Sequence, residues 1–241
     1  MSAELFAALE ATWPPAAWHD APGWRVPEGR GGGNRVSAAR PVTEVPDIDA
    51  MARIQDRIGQ ERLVQVRRGH EALDAALEAA GYTSRDATLG LVAPVDAVAA
   101  EPPRVTAFEV DWPMAEIGRE IWAGGGIGPA RVAVMDRVQG PKCAFLGRVD
   151  DQPAAAAFVA CHGPLAMVHA LEVLPTHRRK GVARHLMQAM ALWALRKGAS
   201  RIGCFVTENN VAARTLYAGL GLGVETAYHY RVQTAPASGG L

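Results

Sequence analysis

The chain has 241 residues, 49% of them apolar and 21% charged, with 25 basic and 25 acidic side chains and a pI near 7.1. That length fills one large core or two small ones, the composition excludes extensive disorder, and a net charge of zero excludes a general binder of nucleic acid or anionic membrane. Cys143, Cys161 and Cys204 are odd in number, far apart and set among apolar residues, so they read as buried free thiols. No C-x-x-C spacing or histidine pair at i, i+4 suggests a metal. No stretch approaches the ~20 apolar residues of a membrane span, and the first residues carry no basic leader, so the expected location is the cytoplasm.

In chain order, residues 1–20 predict a short amphipathic helix stopped at Pro14-Pro15. Residues 24–38 predict two short strands about a glycine turn at Gly31–Gly33; no Lys-Ser/Thr closes a phosphate loop there. Asp47–Ile58 reads as a helix, Leu63–Val66 as a strand, Glu71–Ala80 as a helix ended by Gly81, and Thr88–Val92 as a strand. Prolines then interrupt the pattern. The expected organisation is an N-terminal half over 1–97, a linker over 98–104, a second half over 105–235 and a frayed tail over 236–241. The second half opens with a strand at Val105–Val110 and a helix at Met114–Trp122. The glycine cluster 123–129 follows a helix, not a strand, and reads either as a mobile loop at a substrate mouth or as a bare connector. Lys142–Val149, Ala154–Cys161 and Met167–Val173 predict an antiparallel meander. A helix beginning near Gly181, a strand at Ile202–Thr207, a helix capped by Asn209 or Asn210 and ended at Gly221, and a strand at Thr226–Val232 complete the pattern.

The chemistry concentrates at 171–186, L-E-V-L-P-T-H-R-R-K-G-V-A-R-H-L. A strand ends at Val173, Pro175 forbids its continuation, and a helix opens at Gly181. Between Val173 and Thr207 there is no acidic residue, while Arg178, Arg179, Lys180, Arg184, Arg196, Lys197 and Arg201 supply seven positive charges. The unpaired N–H groups of a helix's first turn, with Gly181 and Ala183 removing side-chain bulk, suit a phosphate or pyrophosphate.

Arg178-x-x-Gly181-x-Ala183, preceded by Val173-Leu174-Pro175, resembles the Q/R-x-x-G-x-G/A loop of the GCN5-related N-acetyltransferase (GNAT) superfamily. Asn210-x-x-Ala213-x-x-Leu216-Tyr217-x-x-x-Gly221-Leu222 resembles its second motif, with Ala183 and Leu222 as mild departures. The resemblance covers about residues 104–233. It implies an α/β (α+β) acyl-CoA N-acyltransferase fold, a mixed, mostly antiparallel sheet flanked by helices, and acetyl-CoA as cosubstrate with no metal. Backbone from Arg179 through Val182 and Ala183 to Arg184 would hold the pyrophosphate, with Arg178, Arg179, Lys180 or Arg184 reaching a further phosphate. Leu171 and Val173 would meet the pantetheine arm, strand 202–207 would form the other wall, and Asn210, Ala213 and Tyr217 of the second motif count among the cofactor-binding residues. Aligning Gly81 with Gly221 sets His70 opposite Asn210 and Leu77 opposite Tyr217. Residues 24–97 therefore resemble a degenerate half-repeat without the loop, as in two-domain members, with an unrelated α+β domain as the alternative.

The implied reaction moves an acetyl group to a primary amine of a small molecule or peptide; a non-catalytic acyl-CoA-binding regulatory module is the alternative. An alkylamine is almost wholly charged near pH 7 and must lose a proton, while a phenol can protonate the leaving thiolate. Tyr217 stands where the family places that phenol. For the base, Glu172, His169 and a water chain stay open, with Glu208 and His229 as outside candidates. Strict alternation sets His169 and Glu172 on opposite faces of one strand, His169 with Leu171 and Val173. The expected partners are an amine substrate, neither nucleic acid nor membrane, and the expected state a monomer or homodimer.

Overall fold

The computed structural model describes residues 2–44 and 46–234; the tail expected at 236–241 lies outside the described residues. In chain order the elements are α1 (Ser2–Thr12), β1 (Ala17–Ala21), β2 (Trp24–Glu28), β3 (Arg40–Pro41), α2 (Ile48–Arg57), β4 (Arg62–Arg67), α3 (Glu71–Ala79), β5 (Thr83–Pro94), α4 (Val95–Val98), β6 (Ala107–Val110), α5 (Glu116–Gly124), α6 (Pro129–Asp136), β7 (Lys142–Val149), β8 (Gln152–His162), β9 (Leu165–Val173), α7 (Val182–Arg196), β10 (Arg201–Thr207), α8 (Val211–Ala218) and β11 (Gly223–Gln233). They divide into two compact units. The larger comprises residues 2–14, 90–206 and 210–225, the smaller residues 15–89, 207–209 and 226–234.

In the larger unit the strand order is β10-β9-β8-β7-β6. β10 runs parallel to β9, and the other neighbours are antiparallel. Strand β8 is alanine-rich because helices cover it: Ala154 through Ala160 are fully buried, and α1, α5 and α7 all pack on it. Small side chains let helix backbones come close, and the apolar row Val182, Leu186, Met190 and Trp193 fixes the buried face of α7. Gly147 on β7 has a specific reason. A Cβ there would lie 2.7 Å from Cγ2 of Val182, so the glycine lets the first turn of α7 settle onto the sheet.

In the smaller unit, β1, β2 and β3 form one sheet, and β11 lies between β4 and β5 in another. Its core is Trp24, Val26, Met51, Val64, Leu73, Leu77 and Tyr82. The buried Gln55 of α2 ties onto β4, accepting from Leu63 N at 3.1 Å and donating at 2.8 Å to Leu63 O, which also accepts from Ala39 N. One expected hairpin is displaced. The pair is β1 with β2 about Pro22-Gly23, where Gly23 has φ 78°, and Asn34–Val36 is a short 3-10 turn. Pro14-Pro15 does stop the first helix, and the chain resumes as β1 at Ala17. The second half also differs at Pro129–Asp136, a helix begun by proline in its first turn.

The internal repeat is visible in the geometry. Twice along the chain a strand, a short helix and a strand follow one another: β4-α3-β5 and β10-α8-β11. Gly81 and Gly221 close the two helices at φ 84° and 85°, and Tyr82 N and Leu222 N bond back to the carbonyls of Leu77 and Tyr217 at 2.9 and 3.0 Å. His70 and Asn210 occupy the two N-cap positions. What differs is the helix preceding each repeat. In the smaller unit the Asp47 carboxylate accepts from Ala50 N at 2.8 Å, beside Glu44 and Asp49, so acid closes the start of α2. Helix α7 opens on Gly181, with no side-chain cap and no acid in its first turn.

Candidate active site

Strands β9 and β10 are paired at four positions, the last being Val168 with Cys204. β9 then continues to Val173 and β10 to Thr207 without further pairing between them, so a wedge opens between the two strands. The loop after β9 turns through Arg179 at φ 66° and Gly181 at φ 82° and delivers the uncapped first turn of α7. A Cβ on Gly181 would meet only the edge of the His185 ring, at 3.6 Å, so the space over this turn is open. Open N–H groups, the positive end of a helix of 15 residues and no acidic residue in its first turn suit a pyrophosphate.

The positive cluster is smaller in three dimensions than in sequence. Arg196 pairs with Glu109, and Arg201 with Glu4 and Glu225. Lys180 reaches Asp150 at 3.4 Å, and Arg184 donates to the carbonyl of Gly219 at 2.8 Å, at the C-terminus of α8. These partners come from remote sequence and could not be seen locally. Arg179 is exposed at the loop's tip. Asn210 accepts from Ala213 N at 3.0 Å, so its carboxamide oxygen serves the helix start.

The alternation expected along β9 fails at one residue. Phe158 faces His169 across the β8–β9 pair, and Ala156 faces Glu172. Two residues on β8 thus span three on β9, with Ala170 at φ 50° as the extra one. This β-bulge brings His169 and Glu172 to the same face and leaves Val173 on the other, correcting the parity argument. Trp122 at the end of α5 fixes the bulge, donating from Nε1 to the carbonyl of Ala170 at 2.8 Å.

The two candidate bases nonetheless have different surroundings. His169 is 3% exposed, stacked on Trp13 at 4.9 Å between ring centres. Its Nε2 lies 2.9 Å from Thr12 Oγ1, whose own proton goes to Ala8 O at 2.7 Å. The hydroxyl can therefore only accept, which fixes the proton on Nε2. Glu172 has a side chain 19% exposed and bonds Arg178 Nη2 at 3.3 Å, while Arg178 Nε donates to Val173 O at 3.1 Å. Its carboxylate rests directly on Gly125 of the glycine cluster, where a Cβ would lie 2.4 Å from Cδ. Trp122 is the residue that sequence reasoning did not place at the site, whereas Gly125 belongs to the cluster read either as a loop at a substrate mouth or as a connector, and it lies against Glu172. Tyr217 is buried on α8, with 8% of its surface accessible.

A mixed sheet that parts beside an uncapped helix is the acyl-CoA N-acyltransferase fold. A sequence profile described as the acetyltransferase (GNAT) family matches residues 107–222, so this segment is a GNAT domain, and the chain as a whole has the two-half fold. Among solved structures, a GCN5-related N-acetyltransferase from Kribbella flavida superposes with a TM-score of 0.74 at 18% identity, covering 98% of this chain and 96% of that one. A conserved protein of unknown function from Staphylococcus epidermidis gives 0.67 at 8% identity over 92% and 94%. A tandem GNAT protein from the clavulanic acid biosynthesis pathway gives 0.59 at 14% identity over 97% and 88%. No curated protein matches by sequence.

Proposed function

We propose that this protein is an N-acetyltransferase that moves the acetyl group of acetyl-CoA to a primary amine of a small molecule or peptide, with one active site per chain. The observation that carries the reading is the wedge beyond Val168 and Cys204 opening beside the uncapped first turn of α7. The corresponding helix start in the smaller unit is closed by the Asp47 carboxylate, which supports a single cofactor site. The cosubstrate supplies an activated acyl carbon and a thiolate leaving group. Backbone N–H groups from Arg179 to Arg184 hold its pyrophosphate, Gly181 and Ala183 admit it, and the freed edge of β9 at Leu171 and Val173 aligns the pantetheine arm.

Glu172 takes the amine's proton. It is the only one of the two β9 candidates whose acceptor is partly open, while Thr12, Trp13 and burial commit His169 to packing. The neighbouring Arg178 keeps the Glu172 carboxylate oriented. Tyr217 donates to the departing sulfur. Asn210 and Ala213 serve by shaping the start of α8. Among the described residues no helix is long and apolar enough to cross a membrane, and we place the reaction in the cytoplasm, on one chain or in a homodimer.

The decisive test is calorimetric titration with acetyl-CoA followed by thiol release over a panel of amines. Saturable binding lost in Gly181→Glu, with thiol release only when an amine is present, is the expected result. Undiminished affinity in that variant removes the loop from the mechanism, and binding without release for any amine favours a regulatory acyl-CoA module.

A further inference from the structure

His185 lies just past the Arg178–Ala183 loop, one helical turn on from Gly181, and its backbone N bonds the Gly181 carbonyl at 3.1 Å. A helical side chain leans toward the N-terminus of its helix, over the residue one turn earlier. Here that residue is the glycine N-cap of α7, and a Cβ on it would lie 3.6 Å from His185 Cε1 and 3.9 Å from Nε2. The imidazole therefore borders the same open space as the N–H groups of the first turn. In α2 of the smaller unit, the residue one turn on from the Asp47 N-cap is Met51, fully buried in the core.

The two ring nitrogens of His185 have different surroundings. Nδ1 is sealed from solvent and has no hydrogen-bond partner among the described residues. Burial, and then the adjacent Arg184, hold the imidazole below its ordinary value, so near pH 7.5 the ring is neutral and carries a single proton. On Nδ1 that proton would make a buried, unpaired N–H. On Nε2 it gives a donor to the ring edge that faces Gly181. The charged side chain of the same turn is engaged elsewhere, since Arg184 donates to the carbonyl of Gly219 at 2.8 Å. A pyrophosphate bears several non-bridging oxygens, more acceptors than one turn of backbone satisfies, and a side-chain N–H at the rim of that turn meets one of them.

We propose that His185 is a cofactor-binding residue, its Nε2–H donating to the pyrophosphate of acetyl-CoA where that group rests on the first turn of α7. The inference rests on the acyl-transfer reading and adds to it a side chain that lies outside both sequence motifs.

The probe is 3′-dephospho-CoA, which keeps the pyrophosphate and lacks the phosphomonoester whose second proton leaves near pH ~6. Imidazole nitrogens of the full chain are followed by long-range proton–nitrogen correlation spectra at pH 7.5, the His185 signals being assigned by their loss in His185→Gln. The expected result is an Nε2–H tautomer in the free protein and a shift of that Nε2 resonance on saturation with the probe. In calorimetry, His185→Leu weakens the probe by on the order of tenfold, whereas His185→Gln, whose amide N–H can replace the lost donor, stays within about threefold of the parent. Melting temperatures of both variants control for folding, and if His185→Leu does not fold, the resonance shift decides alone. An Nδ1–H tautomer, an unmoved Nε2 resonance at saturation, or parental affinity in His185→Leu overturns the proposal. A parent that binds neither CoA nor the probe brings down the acyl-transfer reading and this inference with it. Undiminished binding with a silent His185 removes this inference alone.

Discussion

Replacing Gly125 by alanine adds one methyl group where the structure has none to spare. A Cβ at Gly125 would stand 2.4 Å from Glu172 Cδ, 2.5 Å from Cγ and 2.6 Å from Oε2. Ordinary contact begins near 3.4 Å, so the carboxylate must withdraw by about 1 Å. The backbone does not resist the change, since Gly125 has φ −92° and ψ 10°, open to any residue. Global stability should therefore hold while the proposed base moves. A 1 Å misplacement of a reacting group costs on the order of a hundredfold, roughly 2.7 kcal/mol in the barrier. Gly125→Ala should thus lower kcat about a hundredfold at pH 7.5, with a melting temperature near that of the parent and unaltered affinity for acetyl-CoA. Stopped-time thiol release gives kcat, and calorimetry gives the affinity. Turnover within twofold of the parent would show that Glu172 does not act as the base, or that its position is immaterial.

Tyr217→Phe removes only the phenol oxygen and should reduce kcat by about ten- to a thousandfold with acetyl-CoA affinity unchanged; equal turnover would dismiss the acid role. Burial pushes the thiols of Cys143 and Cys161 up to about 11, and Cys204 is 2% exposed. At pH 8 the native protein should accordingly react only slowly with an aromatic disulfide reagent, and all three thiols should appear in guanidinium; an immediate native burst of one equivalent contradicts the packing. Arg231 above all, and then His229, hold the Asp74 carboxyl below its unfolded value of about 3.9. Its contribution to stability is present above that pH and disappears as pH falls through the lower folded value. Denaturant titrations of Asp74→Asn should show a deficit at pH 7 that shrinks toward pH 3, and a deficit that grows with acid would reverse the assignment.

Much of the larger unit was legible because its signals are local. The meander over β7, β8 and β9, the proline after Val173, and glycines at 181 and 221 each demand a particular backbone. The hairpin about Gly23 was missed because the glycine run at 31–33 is the stronger turn signal, although it only makes a 3-10 turn beside the sheet. The face of Glu172 was missed for a different reason. A bulge is set by how β9 meets β8 and by Trp122 pinning the Ala170 carbonyl, and nothing in the spelling of β9 announces the extra residue. Long-range charge pairing likewise escaped the sequence: Glu4 and Glu109 lie far along the chain from the arginines they bind.

The register of β11 on β4 carries a consequence for synthesis. Gln233 pairs with Arg62 and Tyr228 with Arg67, so a strand made early in translation waits for the last described strand of the chain. The smaller unit cannot finish folding before β11 leaves the ribosome, even though residues 15–89 are complete long before. A chain halted near residue 220 would present β4 as an open edge, available to a neighbouring nascent chain. For this protein, the vulnerable interval in its life is the time between making β4 and making β11.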